Sequence, residues 1–549
     1  MKKVVIVGGV ATGASAAARL RRLDEQVEIV LFEKGEYISF ANCGLPYYIG
    51  DVIQERDKLL VATPALMKDR FQIDVRTQSE VVGVDTTNKK VRVQEKGGKL
   101  YEESFDALVL APGAKPLKPA IPGIESDKIL SLRNIKDTDQ IKGMTTQSHS
   151  IIVIGGGYIG VELAENLRHI DKKVTLIEAA PHILAPFDEE IVVQAERKLN
   201  EKGVHLILNN GVKAFYEEGH QVKVELQDGS FEQADFVVTA IGVTPDTDFL
   251  KNSGINLGPK GHILTNEHLE TNIKNIYAGG DAVEVIDFIS GNQTAIPLAG
   301  PANKQGRIIA DNLAGIKTSY KNTQGTSVIK VFDLTFAATG NNERQLKKLE
   351  IPHHTIIIHP NNHAGYYPGA TAITLKLIFD NTGAVLGAQA FGYEGVEKRI
   401  DVLATVLRLG GTIYDLTELE LSYAPPFGSA KDPVNFAGYV AENILTGKSE
   451  EVHPRELKML QDKPEVVILD VRTLGERKRG KVPHSLHINV NELRDHLGEL
   501  DKEKEYWIYC AVGVRAYTAE RILKQNGFKC KNVTGGYKTL EALDLVTKE

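Results

Sequence analysis

Cysteine is rare in this chain: 549 residues hold three, Cys43, Cys510 and Cys530. Three scattered thiols exclude a disulfide-stapled scaffold, and no CxxC pair or Cys/His cluster is spaced to ligate a metal. Long apolar runs are missing too, so no stretch is long enough to cross a bilayer. The opening Met1-Lys2-Lys3 with its apolar run has the outline of a secretory signal. That run is short, ends in glycines and is followed by Arg19, Arg21 and Arg22, which reads as a buried strand instead. Positive charge is not in excess: 65 Lys and Arg face 72 Asp and Glu, a net charge of −7. That balance argues against nucleic acid as a partner. The expectation is a cytoplasmic protein with reduced thiols, no metal, no membrane and no nucleic acid.

The length predicts three or four domains. A hydrophobic share of 42% and a charged share of 25% are ordinary for globular folds. Two glycine-rich turns stand out, each closing a strand pattern. The first is Val4-Val5-Ile6-Val7-Gly8-Gly9-Val10-Ala11-Thr12-Gly13, the second Ile151-Ile152-Val153-Ile154-Gly155-Gly156-Gly157-Tyr158-Ile159-Gly160. Such a turn sets backbone N–H groups and a helix start against a pyrophosphate, with an acid about 20 residues on for the ribose hydroxyls. Glu33 lies 20 residues after Gly13, and Glu178 lies 18 after Gly160. The second turn is a complete GxGxxG, while Val10 takes the middle glycine's place in the first. Two such sites in one chain point to two dinucleotides, most simply a flavin and a nicotinamide. Glu178 favours NADH over NADPH, because a carboxylate repels a 2′-phosphate and no arginine follows nearby; NADPH stays possible.

The pattern repeats weakly. The strand ending at Ala111-Pro112-Gly113 is matched by one ending at Ile241-Gly242, and Pro116, Pro119 and Pro122 mark a crossover between the copies. From about 324 to 445 the pattern turns strand-rich and then helical. Thr446-Gly447-Lys448-Ser449-Glu450-Glu451 reads as a polar linker. A compact α/β segment over 455–549 follows, long enough to fold alone.

The first 445 or so residues resemble the pyridine nucleotide-disulfide oxidoreductases. Tyr277-Ala278-Gly279-Gly280-Asp281 matches that family's second FAD signature. The resemblance implies an α/β multidomain fold with nested Rossmann-like domains. These are an FAD domain over 1–115 and 246–323, an NAD(P)H domain over 116–245, an α+β dimerisation domain over 324–445 and a linker over 446–454. It also implies a homodimer. Its FAD contacts would be Gly8, Val10, Ala11, Gly13, Glu33, Lys34, Val82, Ala111, Gly113 and Asp281. Its nicotinamide contacts would be Gly155, Gly157, Tyr158, Ile159, Gly160, Glu178 and Gly242.

Cys43 sits in Ser39-Phe40-Ala41-Asn42-Cys43-Gly44-Leu45-Pro46-Tyr47-Tyr48. The glutathione-reductase branch carries two cysteines there, five apart; here Cys43 has no partner, which excludes an internal redox disulfide. A single thiol beside a flavin cycles through a mixed disulfide, a persulfide or a sulfenic acid. A lone cysteine is more often a small buried hydrophobe, but the flavoprotein frame reverses that weighting. NADH oxidases and peroxidases of this family carry a histidine in the first glycine turn, and none lies between Gly8 and Gly13. The stretch instead resembles the CoA-disulfide reductases. His363-Ala364-Gly365-Tyr366-Tyr367-Pro368-Gly369 and Ser422-Tyr423-Ala424-Pro425-Pro426-Phe427 resemble segments that bring tyrosines (Tyr366 or Tyr367, and Tyr423) to the partner subunit's thiol. The segment Leu298 through Arg307 resembles a CoA-contacting helix start. By this resemblance Ser15, Arg19, Arg22, Ser39, Asn42, Asn303, Arg307 and Lys431 are candidate coenzyme A contacts, with arginines suited to its phosphates.

Near the end, Tyr506-Trp507-Ile508-Tyr509-Cys510-Ala511-Val512-Gly513-Val514-Arg515-Ala516 reads as strand, six-residue loop and helix. Loop N–H groups, the helix start and the Arg515 guanidinium would all stabilise a Cys510 thiolate. With Val467 to Arg472 and Val533 to Tyr537, residues 455–549 resemble a rhodanese domain, which implies that Cys510 carries sulfur as a persulfide. A tyrosine phosphatase loop has one more residue between Cys and Arg, which argues against phosphatase chemistry. Cys530 has no motif around it and reads as structural. The resemblances imply an FAD-dependent NAD(P)H:CoA-disulfide reductase that also reduces CoA persulfide or polysulfide to hydrogen sulfide. The rivals are an NADH oxidase working through a Cys43 sulfenic acid, and a sulfur-relay protein.

Overall fold

The computed structural model describes residues 3–462 and 465–548. It divides into two units, one of residues up to 183 with 202–323, the other of 184–201 with 324 onward.

The first unit contains the same architecture twice. Lys3–Val7 lies between Glu28–Phe32 and Ala107–Leu110 in a five-stranded parallel sheet, with Asp74–Arg76 and Ile276–Ala278 at its edges. Ser150–Ile154 lies between Lys173–Ile177 and Phe236–Thr239 in a second, with Val204–Ile207 and Ile129–Ser131 at its edges. Val, Ile and Leu fill the central strands of both and are fully buried, as a parallel sheet covered on both faces requires. Each module adds a three-stranded antiparallel sheet, Ser79–Asp85 to Leu100–Ser104 in the first and Val212–Glu218 to Phe231–Ala234 in the second. The chain leaves the first module along Ala114–Pro116 and returns along Val243–Pro245, and these two segments pair antiparallel. The borders read from the sequence at 115/116 and 245/246 fall in this ribbon.

The second unit begins with a five-stranded antiparallel sheet in the order Ser327–Val331, Leu334–Gly340, Val385–Gly392, Thr374–Phe379, His354–Ile358. The helix Glu189–Glu201 belongs to this unit although its sequence lies within the second module. A five-stranded parallel sheet follows, ordered Glu451–Val452, Lys529–Val533, Glu505–Tyr509, Val466–Asp470, Leu486–His487. The C-terminal domain lies against the edge strand His354–Ile358. The Ile357 N–H donates to Thr534 Oγ1 at 2.8 Å, and the ring of His359 joins the hydroxyls of Thr374 and Thr539, each at 2.9 Å. Burial pushes His359 down to about 3, so the ring joining them is neutral.

The segment read as a polar linker is built into this domain. Glu451–Val452 pairs with Asn532 and Val533 as an edge strand. Ser449 Oγ and the Glu450 N–H both donate to the carboxylate of Glu520, which is fully buried. The polarity that suggested a solvated linker satisfies a buried acid.

Candidate functional site

The two glycine turns share one geometry. Gly8 and Gly155 have φ of +95° and +105°, open to glycine and strained for other residues. A Cβ on Gly13 would lie 1.8 Å from the carbonyl oxygen of Gly8, and one on Gly160 1.9 Å from that of Gly155. The acids are held alike: Glu33 accepts from the N–H of Gly9 at 2.9 Å and of Gly35 at 2.7 Å. Glu178 accepts from Gly156 at 2.6 Å and Ala180 at 2.8 Å. Helices Ala11–Leu23 and Tyr158–His169 start with no side-chain cap and no acid in the first turn. By contrast, Asn134 and Asp137 close the start of helix Ile135–Thr145 with a reciprocal capping box. Open N–H groups beside a glycine turn fit a dinucleotide pyrophosphate in both places. Gly113 and Gly242 occupy equivalent turns, with φ of +70° and +113°. The Ala111 N–H donates to Val7 O at 2.8 Å. Lys34 is ion-paired with Asp246, and Val82 lies in strand Ser79–Asp85.

Cys43 is exposed, in the 3-10 turn Asn42–Gly44 that runs into helix Leu45–Ile49. Desolvation by surrounding protein, then the carboxylates of Glu162 and Asp281, push its thiol up. The structure thus gathers Cys43, Asp281 of the second signature and Glu162 of the second module's helix in one place. Tyr47 sends its hydroxyl toward Glu162 Oε1 at 3.5 Å. Burial raises Glu162 to about 7, helped by repulsion from Glu165. Asp281 also meets Arg133 Nη2 at 3.3 Å. Gln305 accepts from the Gly280 N–H at 2.7 Å, and Thr12 donates to the Ala302 carbonyl at 2.9 Å, so helix Ala299–Leu313 is fastened to the first turn.

The coenzyme A candidates divide. Ser15 donates to Asn303 Oδ1 at 2.6 Å, and Arg307 is exposed on the same helix as Asn303. Asn42 Oδ1 is buried without a hydrogen-bond partner among the described residues, an acceptor suited to a ligand donor. Ser39 holds φ of +45°, its N–H donating to Gly9 O at 2.8 Å. Arg19, by contrast, is committed to Asp311 at 2.8 Å. Arg22 lies 5.9 Å from the Phe71 ring centre. In the second unit Lys431 is exposed. There the hydroxyls of Tyr366 and Tyr423 meet at 2.9 Å. Tyr367 instead stands edge-on to His363, ring centres 5.7 Å apart, so Tyr366 is the one of the two that pairs with Tyr423.

Cys510 follows strand Glu505–Tyr509 and is buried, its Sγ accepting from the Gly513 N–H at 3.1 Å. Gly513 has φ of +104°, which turns that N–H inward. The Cys510 carbonyl accepts from Tyr537 at 2.7 Å, and that of Ala511 from Lys538 at 3.1 Å, fixing the loop from behind. Arg515 contacts both Cys510 and Glu476. Cys530 donates to Glu520 O at 3.6 Å, and burial pushes it up to about 12, which makes it inert.

One acidic cluster in the second unit has the spacing of a metal site: Glu190, Glu343 and His453. Its cation is a side chain. The fully buried Lys376 Nζ lies 2.6 Å from Glu343, 3.0 Å from Asp188 and 3.3 Å from Glu190. Burial works to lower this lysine, and the three carboxylates outweigh it and raise it, so it stays charged.

Glu162, Arg133, Gln305 and Glu476 escaped the sequence reading. Glu162 follows Gly160 by two residues, but its partner Tyr47 is 115 residues away. Glu476 belongs to a Thr-x-x-Glu pattern that signals a helix start and not a loop 39 residues on.

Comparison with known proteins agrees with this geometry. The pyridine nucleotide-disulphide oxidoreductase family matches residues 2–306, its dimerisation domain 326–433, and the rhodanese-like domain 453–542. Coenzyme A disulfide reductases of Staphylococcus epidermidis and Staphylococcus aureus are 35% and 36% identical over 447 residues, 80% of this chain and 100% of theirs. The structure of reduced Bacillus anthracis CoADR-RHD is 46% identical with a TM-score of 0.97, covering 100% of this chain and 99% of that one. An NAD-dependent persulfide reductase from A. fulgidus is 37% identical with a TM-score of 0.91, covering 98% and 99%. A water-forming NADH oxidase from Lactobacillus brevis is 26% identical with a TM-score of 0.79, covering 81% and 99%. With more than half its length matched by the family and two kinds of sulfur reductase aligned along it, the chain belongs to the pyridine nucleotide-disulphide oxidoreductases and carries a rhodanese-like domain.

Proposed function

We propose that this chain is an FAD-dependent, NADH-using CoA-disulfide reductase that also reduces CoA persulfide or polysulfide to hydrogen sulfide. The observation that carries this is Cys43: an exposed thiol with no second cysteine near it in sequence, gathered with Asp281 and Glu162 beside the first glycine turn. Bound FAD would supply the two-electron chemistry between nicotinamide and sulfur. The Gly8–Gly13 turn, Glu33 and Asp281 would hold it, and the Gly155–Gly160 turn and Glu178 would hold NADH. Glu178 is fixed by two N–H groups where a 2′-phosphate would come, a repulsion of about 1–3 kcal/mol against NADPH.

Cys43 attacks one sulfur of CoA disulfide. A Cys43–CoA disulfide bond forms, the CoA–CoA bond breaks and one CoA thiolate leaves. Addition of two electrons to the mixed disulfide frees the second CoA thiolate and restores Cys43. Ser15, Asn303, Arg307 and the unpartnered Asn42 Oδ1 are suited to position coenzyme A. The match to a dimerisation domain supports a homodimer, in which the Tyr366–Tyr423 hydroxyl pair would serve the second copy's thiol. Cys510 would carry sulfane sulfur as a persulfide. Because the C-terminal domain is tied to its own sheet edge and its linker is built in, a moving pantetheine arm suits this transfer better than a swinging domain. A cytoplasmic location is consistent with three unpaired cysteines and with no helix, among the described residues, long and apolar enough to cross a membrane.

Cys43→Ser tests this reading. The variant retains flavin that NADH reduces, and loses reduction of CoA disulfide and CoA persulfide. Undiminished turnover of both sulfur substrates would sink the assignment. The NADH oxidase reading, favoured by the Lactobacillus brevis likeness, expects Cys43 never to carry CoA. Mass spectrometry of the purified protein should instead find a CoA adduct on Cys43 that a reductant removes.

A further inference from the structure

The loop holding Cys510 has no charged residue between that cysteine and Arg515: Ala511, Val512, Gly513 and Val514 fill it. Arg515, the loop's one cation, is committed. Its Nη1 lies 2.8 Å from Glu476 Oε2 and its Nη2 2.6 Å from Oε1. The same carboxylate accepts from the Thr473 N–H at 3.0 Å and hydroxyl at 2.8 Å. The bond to Arg515 outweighs partial burial and brings Glu476 to about 2, so the pair is a full salt bridge at neutral pH. The next arginines, Arg472 and Arg477, are both bonded to Asp470. Val514, one residue before Arg515, and Leu474, two before Glu476, are 53% and 57% exposed.

We propose that Glu476 sets the class of sulfur donor for Cys510: by neutralising Arg515 it turns away doubly charged inorganic donors such as thiosulfate and leaves the loop to sulfane sulfur borne on an alkyl chain, such as CoA persulfide. The inference rests on the carrier reading of Cys510 given above. In both reactions the Cys510 thiolate attacks the outer sulfur, an S–S bond forms on Cys510, and the donor's S–S bond breaks with its electron pair leaving on the donor. An alkyl persulfide, R–S–SH, gives Cys510–S–SH and R–S⁻, so the reacting sulfurs carry a single negative charge throughout, with coenzyme A's phosphates held at the far end of its pantetheine arm. Thiosulfate gives Cys510–S–S⁻ and sulfite dianion, which brings a dianion against a thiolate. The N–H groups of the loop suit the first case; the second needs a guanidinium that is not already forked onto a carboxylate. The alkyl chain of the persulfide donor can lie over Val514 and Leu474.

Glu476→Gln removes the charge and keeps the helix cap, because glutamine serves equally at that position of a capping box. Full-length wild type and variant are given thiosulfate or CoA persulfide, with persulfide on Cys510 read by peptide mass spectrometry and transfer to cyanide read as kcat/KM. Wild type should prefer CoA persulfide about a hundredfold, and Glu476→Gln should narrow that ratio about tenfold, chiefly through a lower KM for thiosulfate. Adding Arg515→Gln to the variant should restore the preference, which separates charge from a loosened loop. Comparable use of both donors by wild type, or an unchanged ratio in Glu476→Gln, overturns this inference alone. Loading by neither donor overturns the carrier reading and this inference with it.

Discussion

The turn at Gly8–Gly13 and the turn at Gly155–Gly160 differ in one slot. A Cβ on Gly8 would meet the Ala111 carbonyl oxygen at 2.0 Å, and one on Gly155 that of Ala240 at 2.4 Å. Gly9 and Gly156 would each push a methyl of an isoleucine, Ile38 or Ile183, at 2.6 Å. Gly13 and Gly160 would strike the carbonyl at the start of their own turn. These positions are glycine because the protein's own atoms leave no room. Gly157 has nothing within 4 Å of its would-be Cβ, and its counterpart in the first turn is Val10. The fold therefore tolerates a side chain in that slot. Nothing within the chain demands glycine at 157, which fits a backbone left bare for the close approach of a pyrophosphate.

The largest expected effect tests the shared part. Gly13→Ala and Gly160→Ala each drive a methyl onto a backbone oxygen, and each should cost more than about 3 kcal/mol in chemical denaturation, with poor soluble yield. A variant of wild-type stability would show that the helix can shift away and that the two turns are looser than they look.

Next comes the residue two positions on, Ser15 in the first copy and Glu162 in the second. Glu162 is raised from its ordinary value to about 7, chiefly by burial. A raised carboxyl contributes stability fully below its unfolded value near 4.5, and that contribution is lost as pH climbs through 7. Glu162→Gln should remove the loss and gain on the order of 2 kcal/mol at pH 8 in the flavin-free protein, with no gain at pH 4. Melting curves across that range decide it; equal gain at both ends would mean that Glu162 is not the titrating group.

The smallest effects sharpen the one difference. Gly157→Ala should leave stability within about 0.5 kcal/mol while raising the KM for NADH about tenfold. Val10→Gly should cost about 0.5–1 kcal/mol through backbone entropy and leave flavin bound. If Gly157→Ala binds NADH normally, the slot is free space and not a ligand approach.

What could be read in the sequence follows from range. The glycine turns, Glu33 and Glu178 are legible because strand, turn, helix and acid lie within one βαβ unit. The loop from Cys510 to Arg515 is legible for the same reason. The contacts that complete the sites are long-range: Tyr47 with Glu162, Arg133 with Asp281, Arg515 with Glu476. No local pattern marks them, and each side chain alone looks like a surface charge or a packed aromatic. Arg19 is the converse case: the resemblance implies a phosphate contact, and the partner the structure gives it, Asp311, is 292 residues away. The polar stretch before Val452 misleads because its natural partner, the buried Glu520, is about 70 residues on.

The ribbon of Ala114–Pro116 with Val243–Pro245 pairs Pro116 with Val243 and Ala114 with Pro245. The intervening 126 residues thus begin and end at the same spot. In the language of gene architecture they are a cassette. The five-stranded sheet of the first module takes its remaining strand, Ile276–Ala278, from beyond the return point, so removing the cassette deletes none of its strands. The same residues supply the second unit with the helix Glu189–Glu201 and set Asp188 and Glu190 against Lys376, so a relative's module spliced in at these two backbone positions must bring carboxylates that match that lysine, while Cys43 and the turn at Gly8–Gly13 keep their native sequence.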